Sequence, residues 1–182
     1  MKFDRKLKMI ELKPFPIRYE ALNDLYEHTD QSCCLNRVAV PLEEATTRGF
    51  FLAVRTKNNG GLPFDCRGIY LDGKLIGKIE LTRYEDYSAE LDLILETEYT
   101  GNGYGKEALE QFQNELRKTG WAQCITAYVA ADHKRMIRVL EKTGFEPARA
   151  FAADVMTPQN GTYVLRTVNG IEYSWKNGGN EL

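Results

Sequence analysis

In the first third of the chain, the spacing of hydrophobic residues is typical first of an extended segment and then of helices. Residues 9–15, which contain Pro14 and are followed by Pro16, predict a short extended segment. Apolar residues at helical spacing predict a helix over residues 19–28, and Pro41, followed shortly by two glutamates, marks the start of a second helix. Residues 57–62 contain Asn-Asn-Gly-Gly and predict a loop.

An antiparallel meander is predicted next. Residues 66–71, 75–84 and 89–95 are rich in β-forming residues and are separated by turn residues. The pair Asp72-Gly73 between the first two runs is a strong hairpin signal, and a looser turn separates the second run from the third.

The third run alternates between apolar and acidic positions. Leucines at positions 91, 93 and 95 alternate with Glu90, Asp92 and Ile94. Because successive side chains of a strand point to opposite faces, one face should meet a core and the other should border a polar cleft.

The second half of the chain alternates helix and strand. Residues 106–118 carry an amphipathic helical stripe that ends before Gly120, and residues 124–130 predict a strand. Another helix is predicted to run to Thr143, with Asp132 as its N-cap.

The tail beyond this helix is rich in β-forming residues. Gly144 and Pro147 stop the helix, the run Val-Asn-Gly-Ile at residues 168–171 predicts a hairpin, and residues 176–182 predict a frayed end. The order of elements predicts a single mixed α/β domain over residues 1–182.

Composition and charge exclude several classes of protein. Of the 182 residues, 43% are hydrophobic and 27% are charged, an ordinary globular mix that excludes a disordered or collagen-like chain. A formal net charge of -2 argues against a nucleic-acid partner, since duplex binders usually carry a basic excess. No apolar stretch is long enough to cross a bilayer, and the basic N-terminus is not followed by the apolar run of a secretory signal. We therefore expect no membrane association.

Cysteine spacing indicates the redox compartment. The four cysteines form no CxxC pair, and Cys33 and Cys34 are adjacent. Free thiols in a reducing, cytoplasmic location are the better interpretation.

Three glycines at alternate positions make residues 100–106, Thr-Gly-Asn-Gly-Tyr-Gly-Lys, the most informative stretch. They lie between a predicted strand and a predicted helix, where unpaired amides and the positive end of the helix dipole can bind a phosphate. A tight turn without any ligand stays open as the alternative. The Walker A pattern fails because Glu107 follows Lys106, and the Rossmann pattern fails because the third glycine comes too early.

This loop resembles the pyrophosphate loop of the GNAT superfamily of acyl-CoA-dependent N-acetyltransferases, whose pattern is Gln/Arg-x-x-Gly-x-Gly/Ala. Residues 100–105 occupy that pattern, and residues 132–145 are similar to the family's last helix with its Glu-Lys-x-Gly-Phe ending. The turn at residues 72–77 also fits, so the resemblance covers residues 66–145. It implies an α/β (α+β) fold: one GNAT-like domain with a mixed, mostly antiparallel sheet, a splayed strand pair and helices on both faces.

Three positions depart from the family pattern. Thr100 replaces the first Gln or Arg, which removes one side chain from the anion site but leaves the backbone donors. His133 stands where many members have asparagine, and Leu140 stands where many have a tyrosine that serves as general acid.

The resemblance implies acetyl-CoA as acyl-donor co-substrate, with no metal. The backbone of Leu93, Ile94 and Leu95 would bind the pantetheine arm. His133 is either a polar contact to the cofactor or a surface imidazole, and the cations at positions 134 and 135 either face an anion or form a solvated surface. The amides implied for the pyrophosphate are those of Gly101, Asn102, Gly103, Tyr104, Gly105 and Lys106.

The resemblance and the polar strand face together suggest catalytic residues. Glu90 is the candidate general base and Asp92 its alternate, whereas an ion pair of Glu90 with a cation on a neighbouring strand, such as Lys78, would be purely structural. Because Leu140 cannot protonate the departing thiolate, Tyr128 or water remains for that step, and Tyr128 could equally be a buried aromatic. A backbone amide near Leu95 could bind the oxyanion.

The implied function is transfer of an acetyl group to a primary amine of a small molecule or peptide. Acidic residues near Glu90 favour a cationic acceptor, such as a protein N-terminus, a lysine, a polyamine or an aminoglycoside. One rival is a protein of the same fold that binds acyl-CoA as a sensor or interaction module without turnover, and another is a nucleotide-phosphate binder. Assembly into a homodimer is left open.

Overall fold

A computed structural model describes residues 9–35, 37–55 and 64–178. The predicted loop at residues 57–62 and most of the predicted frayed end lie outside the described residues. In chain order the strands and helices are β1 Ile10–Pro14, α1 Tyr19–Glu27, α2 Glu44–Arg55, β2 Phe64–Leu71, β3 Lys74–Arg83, β4 Ser88–Leu95, α3 Tyr104–Thr119, β5 Cys124–Ala130, α4 Lys134–Lys142, β6 Glu146–Gln159 and β7 Thr162–Lys176.

The seven strands form one sheet in the order β1-β2-β3-β4-β5-β7-β6. Every neighbouring pair is antiparallel except β4 and β5, which run parallel. This arrangement confirms the mixed, mostly antiparallel α/β sheet.

Two hydrophobic clusters cover the two faces of the sheet. On one face, α3 and α4 bring Leu109, Phe112 and Leu140 against strand residues such as Ile79 and Ile125. On the other face, residues of and around α1 pack with the β2 side chain of Cys66, and the buried members are Phe15, Leu22, Leu25, Leu42 and Cys66. The helices therefore lie on both faces, as predicted.

The parallel pair β4 and β5 separates soon after it forms. Register partners run only from Ser88 opposite Cys124 to Glu90 opposite Thr126. Beyond this point β4 pairs only with β3, and β5 only with β7. The splayed pair is confirmed, and it exposes one edge of β4 along residues 91–95.

The prediction of a hairpin at residues 168–171 is wrong. Residues 162–176 form one continuous strand, and the chain turns at Asn160 and Gly161, where φ is 50° and 77°. Gly170 serves close packing instead, because a Cβ atom there would lie 2.3 Å from the Phe151 ring.

The start of α4 also differs from the prediction. The N-cap is His133 rather than Asp132, because His133 Nδ1 accepts a 3.3 Å hydrogen bond from the Met136 amide. All four cysteines are free thiols. Within the described ranges, none of the helices combines the length and apolar character needed to span a membrane.

Candidate active site

A cavity of about 310 Å³ lies at the carboxyl end of β4, beyond the residues that pair with β5. Its walls come from the end of β4, the glycine loop, α4 and the segment after α1. Of the residues predicted to bind a cofactor, eight line it: Leu93, Ile94, Leu95, Gly101, Gly103, Gly105, Lys106 and His133.

The glycine loop lines this cavity at Gly101, Gly103 and Gly105. Gly101 and Gly103 have φ values of 78° and 91°, a conformation that disfavours other residues, and a Cβ atom at either position would meet only open space. The first bond of α3 runs from the Glu107 amide to the Gly103 carbonyl at 3.0 Å. The amides between them therefore have no acceptor within the helix, as an anion site requires.

The remaining two loop residues predicted for the cofactor point elsewhere. Asn102 donates to the Thr100 carbonyl at 3.2 Å, and the Tyr104 ring packs against Tyr99 at 6.5 Å between centroids. Their side chains are not part of the wall, although their amides lie within the loop.

Cationic side chains make one end of the cavity positive. Arg135, Arg138 and Lys142 enter the wall from one face of α4, and Lys106 enters from α3. Within the described ranges, the wall contains a single carboxylate, that of Asp30. Arg138 and Lys142 were not predicted, although their spacing of three and seven positions from Arg135 is a helical signal that sequence analysis could have used.

Lys134 and Arg135, adjacent in sequence, differ in environment. Lys134 turns away and donates to the Ala131 carbonyl at 2.9 Å, outside the wall. Arg135 lines the cavity, donates to Thr100 Oγ1 at 3.0 Å and lies 3.6 Å from the Asp30 carboxylate. Of these two residues, Arg135 alone lines the cavity.

The surroundings of His133 favour its neutral form. Burial, together with the nearby charge of Arg135, lowers its pKa below the ordinary 6.5. Because Nδ1 accepts the Met136 amide, the proton of the neutral ring is on Nε2, which can act as a hydrogen-bond donor.

Three cavity residues come from the segment after α1, which gave no functional signal in the sequence. They are Thr29, Asp30 and Cys34. Burial raises the pKa of the Cys34 thiol to about 11, and the negative charge of Asp92 contributes to the rise. Asp92 itself does not line the cavity.

Glu90 and Tyr128 lie on the same face of the sheet, on the two strands that diverge. Glu90 is exposed and accepts a 2.8 Å hydrogen bond from the Tyr84 hydroxyl, which raises the pKa of Tyr84. Tyr128 is 42% exposed, and its ring makes an edge contact with Phe151 at 5.8 Å. Neither Glu90 nor Tyr128 lines the cavity, and the sequence analysis missed Tyr84 as a partner of Glu90.

Asp92 belongs to a different charged group. The fully buried Lys78 amine contacts Asp92 and Glu80, each at 2.8 Å. These two carboxylates raise the pKa of Lys78 well above its ordinary value, against the effect of burial. The predicted structural alternative, an ion pair of Glu90 with Lys78, is therefore wrong.

Leu140, at the position of the family tyrosine, is fully buried in the core. The polar residues of α4 in the cavity wall are Arg135, Arg138 and Lys142.

Comparison with known proteins identifies the family. The model of the Acetyltransferase (GNAT) domain matches residues 11–146. The chain therefore belongs to the GNAT acetyltransferase family. A search among curated proteins gives no match.

Solved structures share the fold at low sequence identity. A spermidine N-acetyltransferase from Vibrio cholerae in complex with CoA and spermine is 16% identical, with a TM-score of 0.71, 94% of this chain and 97% of that chain covered. An acetyltransferase from Salmonella typhimurium that modifies the N-terminal serine of a ribosomal subunit protein is 14% identical, with a TM-score of 0.71 and coverage of 92% and 95%. A microcin self-immunity acetyltransferase in complex with acetyl-CoA and AMP is 16% identical, with a TM-score of 0.72 and coverage of 92% of each chain.

Proposed function

We propose that this protein transfers an acetyl group from acetyl-CoA to a primary amine. The observation that carries the proposal is the cavity itself, which joins the free edge of β4 to the open amides of the glycine loop. Acetyl-CoA would supply an activated thioester carbonyl there. Its diphosphate fits the loop amides, and its pantetheine arm fits the backbone of Leu93, Ile94 and Leu95.

The acceptor must lose a proton before it can attack. An amine with a pKa of about 10.4 lies about 3.4 units above pH 7, so its deprotonation costs about 4.6 kcal/mol. A carboxylate close to the amine can take this proton, either directly or through water. In the overall reaction the amine nitrogen forms the new bond to carbon, the carbon–sulfur bond breaks and the thiolate gains a proton.

Glu90 is the proposed general base. Its identified partner is a neutral phenol, whereas Asp92 already accepts a charge-assisted hydrogen bond from Lys78. Asp92 lies about 7 Å closer to Ile94 along the strand, so it is better placed to attract a cationic acceptor. Tyr128, on β5 across from β4 where the two strands have separated, remains the proposed proton donor to the thiolate.

A cationic acceptor fits the exposed acids of this face. Two neighbours are described as acting on spermidine and on the N-terminal serine of a ribosomal protein, so polyamines and peptide N-termini are the first acceptors to test. A cytoplasmic location is part of the same proposal.

Acetyl-CoA binding is tested first, by thermal shift and calorimetry. A panel of spermidine, spermine, an N-terminal serine peptide, a lysine peptide and an aminoglycoside then follows, with thiol release as the readout. We expect Glu90→Gln to lower kcat by about 10²–10⁴-fold without weakening acetyl-CoA binding, and Glu85→Gln to match wild type. Unchanged turnover in Glu90→Gln would remove Glu90 as base.

A second candidate is acyl-CoA binding without turnover. It is favoured by the burial of Leu140 where the family has its acid. Binding of acetyl-CoA without thiol release from any amine of the panel would support it, whereas failure to bind acetyl-CoA would contradict both candidates.

A further inference from the structure

The position before the glycine loop carries no cation in this chain. Thr100 stands where the GNAT pattern has Gln or Arg, so no long polar side chain extends from position 100. A guanidinium from another element lies beside this position, because Arg135 donates to Thr100 Oγ1 at 3.0 Å.

The contacts of Thr100 fix the direction of this hydrogen bond. Its hydroxyl donates to the Thr97 carbonyl at 2.8 Å, so the hydroxyl proton is engaged and the oxygen accepts from Arg135. The threonine thus orients the arginine at the mouth of the loop.

Most of the guanidinium stays available to a ligand. Its distance of 3.6 Å to the Asp30 carboxylate is an ion pair but too long for a hydrogen bond. Thr100 occupies one of the five N–H donors, and the described part of the chain offers no second hydrogen-bond acceptor to Arg135. The side chain is 55% exposed and lies in the cavity wall with Gly101 and Gly103.

Without an anion nearby, the positive charge of Arg135 is electrostatically unfavourable at its position in α4. Arg135 is the second residue of α4, where the positive end of the helix dipole opposes a cation. Asp30 compensates for this in part, and a diphosphate would do so more completely.

We propose that Arg135 is the pyrophosphate-binding side chain of this protein, taking over from α4 the role that the residue at position 100 has in the family pattern. The inference rests on the proposed binding of acetyl-CoA. Two parallel N–H donors of a guanidinium match two phosphate oxygens, so Arg135 adds directional bonds to those of the loop amides.

The test is calorimetric binding of CoA, dephospho-CoA and pantetheine to wild type and variants. We expect Arg135→Gln to weaken CoA and dephospho-CoA equally, by about tenfold, and to leave pantetheine binding unchanged, because pantetheine lacks the diphosphate. Lys134→Gln is the matched control: it removes the same charge one residue away, outside the cavity, and should bind all three ligands as wild type does.

A rescue variant separates a binding role from a structural one. We expect Thr100→Arg to restore CoA affinity in the Arg135→Gln background to within about threefold of wild type, and Arg135→Lys to fall between wild type and Arg135→Gln.

Three results would overturn the inference. The first is equal CoA affinity of Arg135→Gln and wild type, and the second is an equal loss of CoA affinity in Lys134→Gln. The third is a loss of affinity for CoA but not for dephospho-CoA, which would assign Arg135 to the 3′-phosphate. If wild type binds no CoA, the proposed function itself fails. That outcome is distinct from the other three, because in those wild type still binds.

Discussion

The Tyr84 hydroxyl donates a 2.8 Å hydrogen bond to the Glu90 carboxylate, beside the point where β4 and β5 separate. The bond joins the turn after β3 to the proposed general base. It holds a flexible side chain in one orientation and occupies one of its two oxygens, which leaves the other oxygen for an acceptor amine or a water molecule.

This hydrogen bond can be tested by titration of Tyr84. The neutral phenol donates to an anion, so its pKa is raised from the ordinary 10.0, and we expect Glu90→Gln to return it toward that value. Glu85→Gln removes an adjacent carboxylate that makes no such bond and should leave the titration unchanged. NMR of ¹³C-labelled tyrosine between pH 8 and 12 measures both, with Tyr84→Phe to assign the signal. A Tyr84 signal that titrates identically in Glu90→Gln would show that the bond does not form in solution.

Gly103→Ala should weaken CoA binding. A left-handed conformation costs an alanine about 1–2 kcal/mol, and the new methyl group would enter the open space in front of the loop. Gly161→Ala is the matched control, since Gly161 has φ of 77° at the tip of the β6–β7 hairpin and also has open space around it. Both variants should lose similar stability in urea denaturation, whereas only Gly103→Ala should lose affinity. Equal affinities would argue against the loop as the anion site.

Lys78→Met should be strongly destabilising. The substitution removes the cation that Glu80, which is largely buried, shares with Asp92. Removal of one partner of a buried ion pair lowers the free energy of unfolding by about 3–5 kcal/mol. Glu80→Gln in the Lys78→Met background should recover part of the loss, because it removes the uncompensated charge. Lys13→Met, which breaks the exposed pair of Lys13 with Glu11, should cost less than about 1 kcal/mol. Urea denaturation measures all three, and a cost for Lys78→Met as small as that for Lys13→Met would contradict the buried pair.

His133→Asn should reduce the loss of folding stability at pH values below about 6.5. Because the folded-state pKa of His133 is lowered from 6.5, the unfolded chain binds a proton that the folded chain refuses, and stability is lost as pH falls below about 6.5. Asparagine does not titrate and is a favourable N-cap, so the variant should keep its stability at pH 7.5. Free energies of unfolding between pH 5 and 7.5 test this. Parallel curves for the two proteins would exclude His133 as the titrating group.

Local signals predicted most of the secondary structure. The strand at residues 124–130 matches β5, the hairpin at Asp72-Gly73 joins β2 to β3, and the helix predicted at 106–118 is α3 with short extensions. Each of these depends on periodicity or on a turn residue within a few positions, which the sequence displays directly.

The misplaced hairpin shows where local signals end. Both Asn160-Gly161 and Asn169-Gly170 have the turn dipeptide, and only one of them turns. Gly170 is required by the Phe151 ring of the neighbouring strand, a contact between residues 19 positions apart that no local pattern displays.

By itself, the sequence determined the glycine loop and most of the helices and strands, because their signals depend on neighbours along the chain. Only the tertiary structure decided which charges meet: Lys78 with Asp92 rather than Glu90, and Arg135 with Thr100, 35 positions away. Pairing across such separations depends on strand register and on how helices pack on the sheet. For that reason the glycine loop and the β4 residues that line the cavity were predictable, whereas the partners of the charged side chains were not.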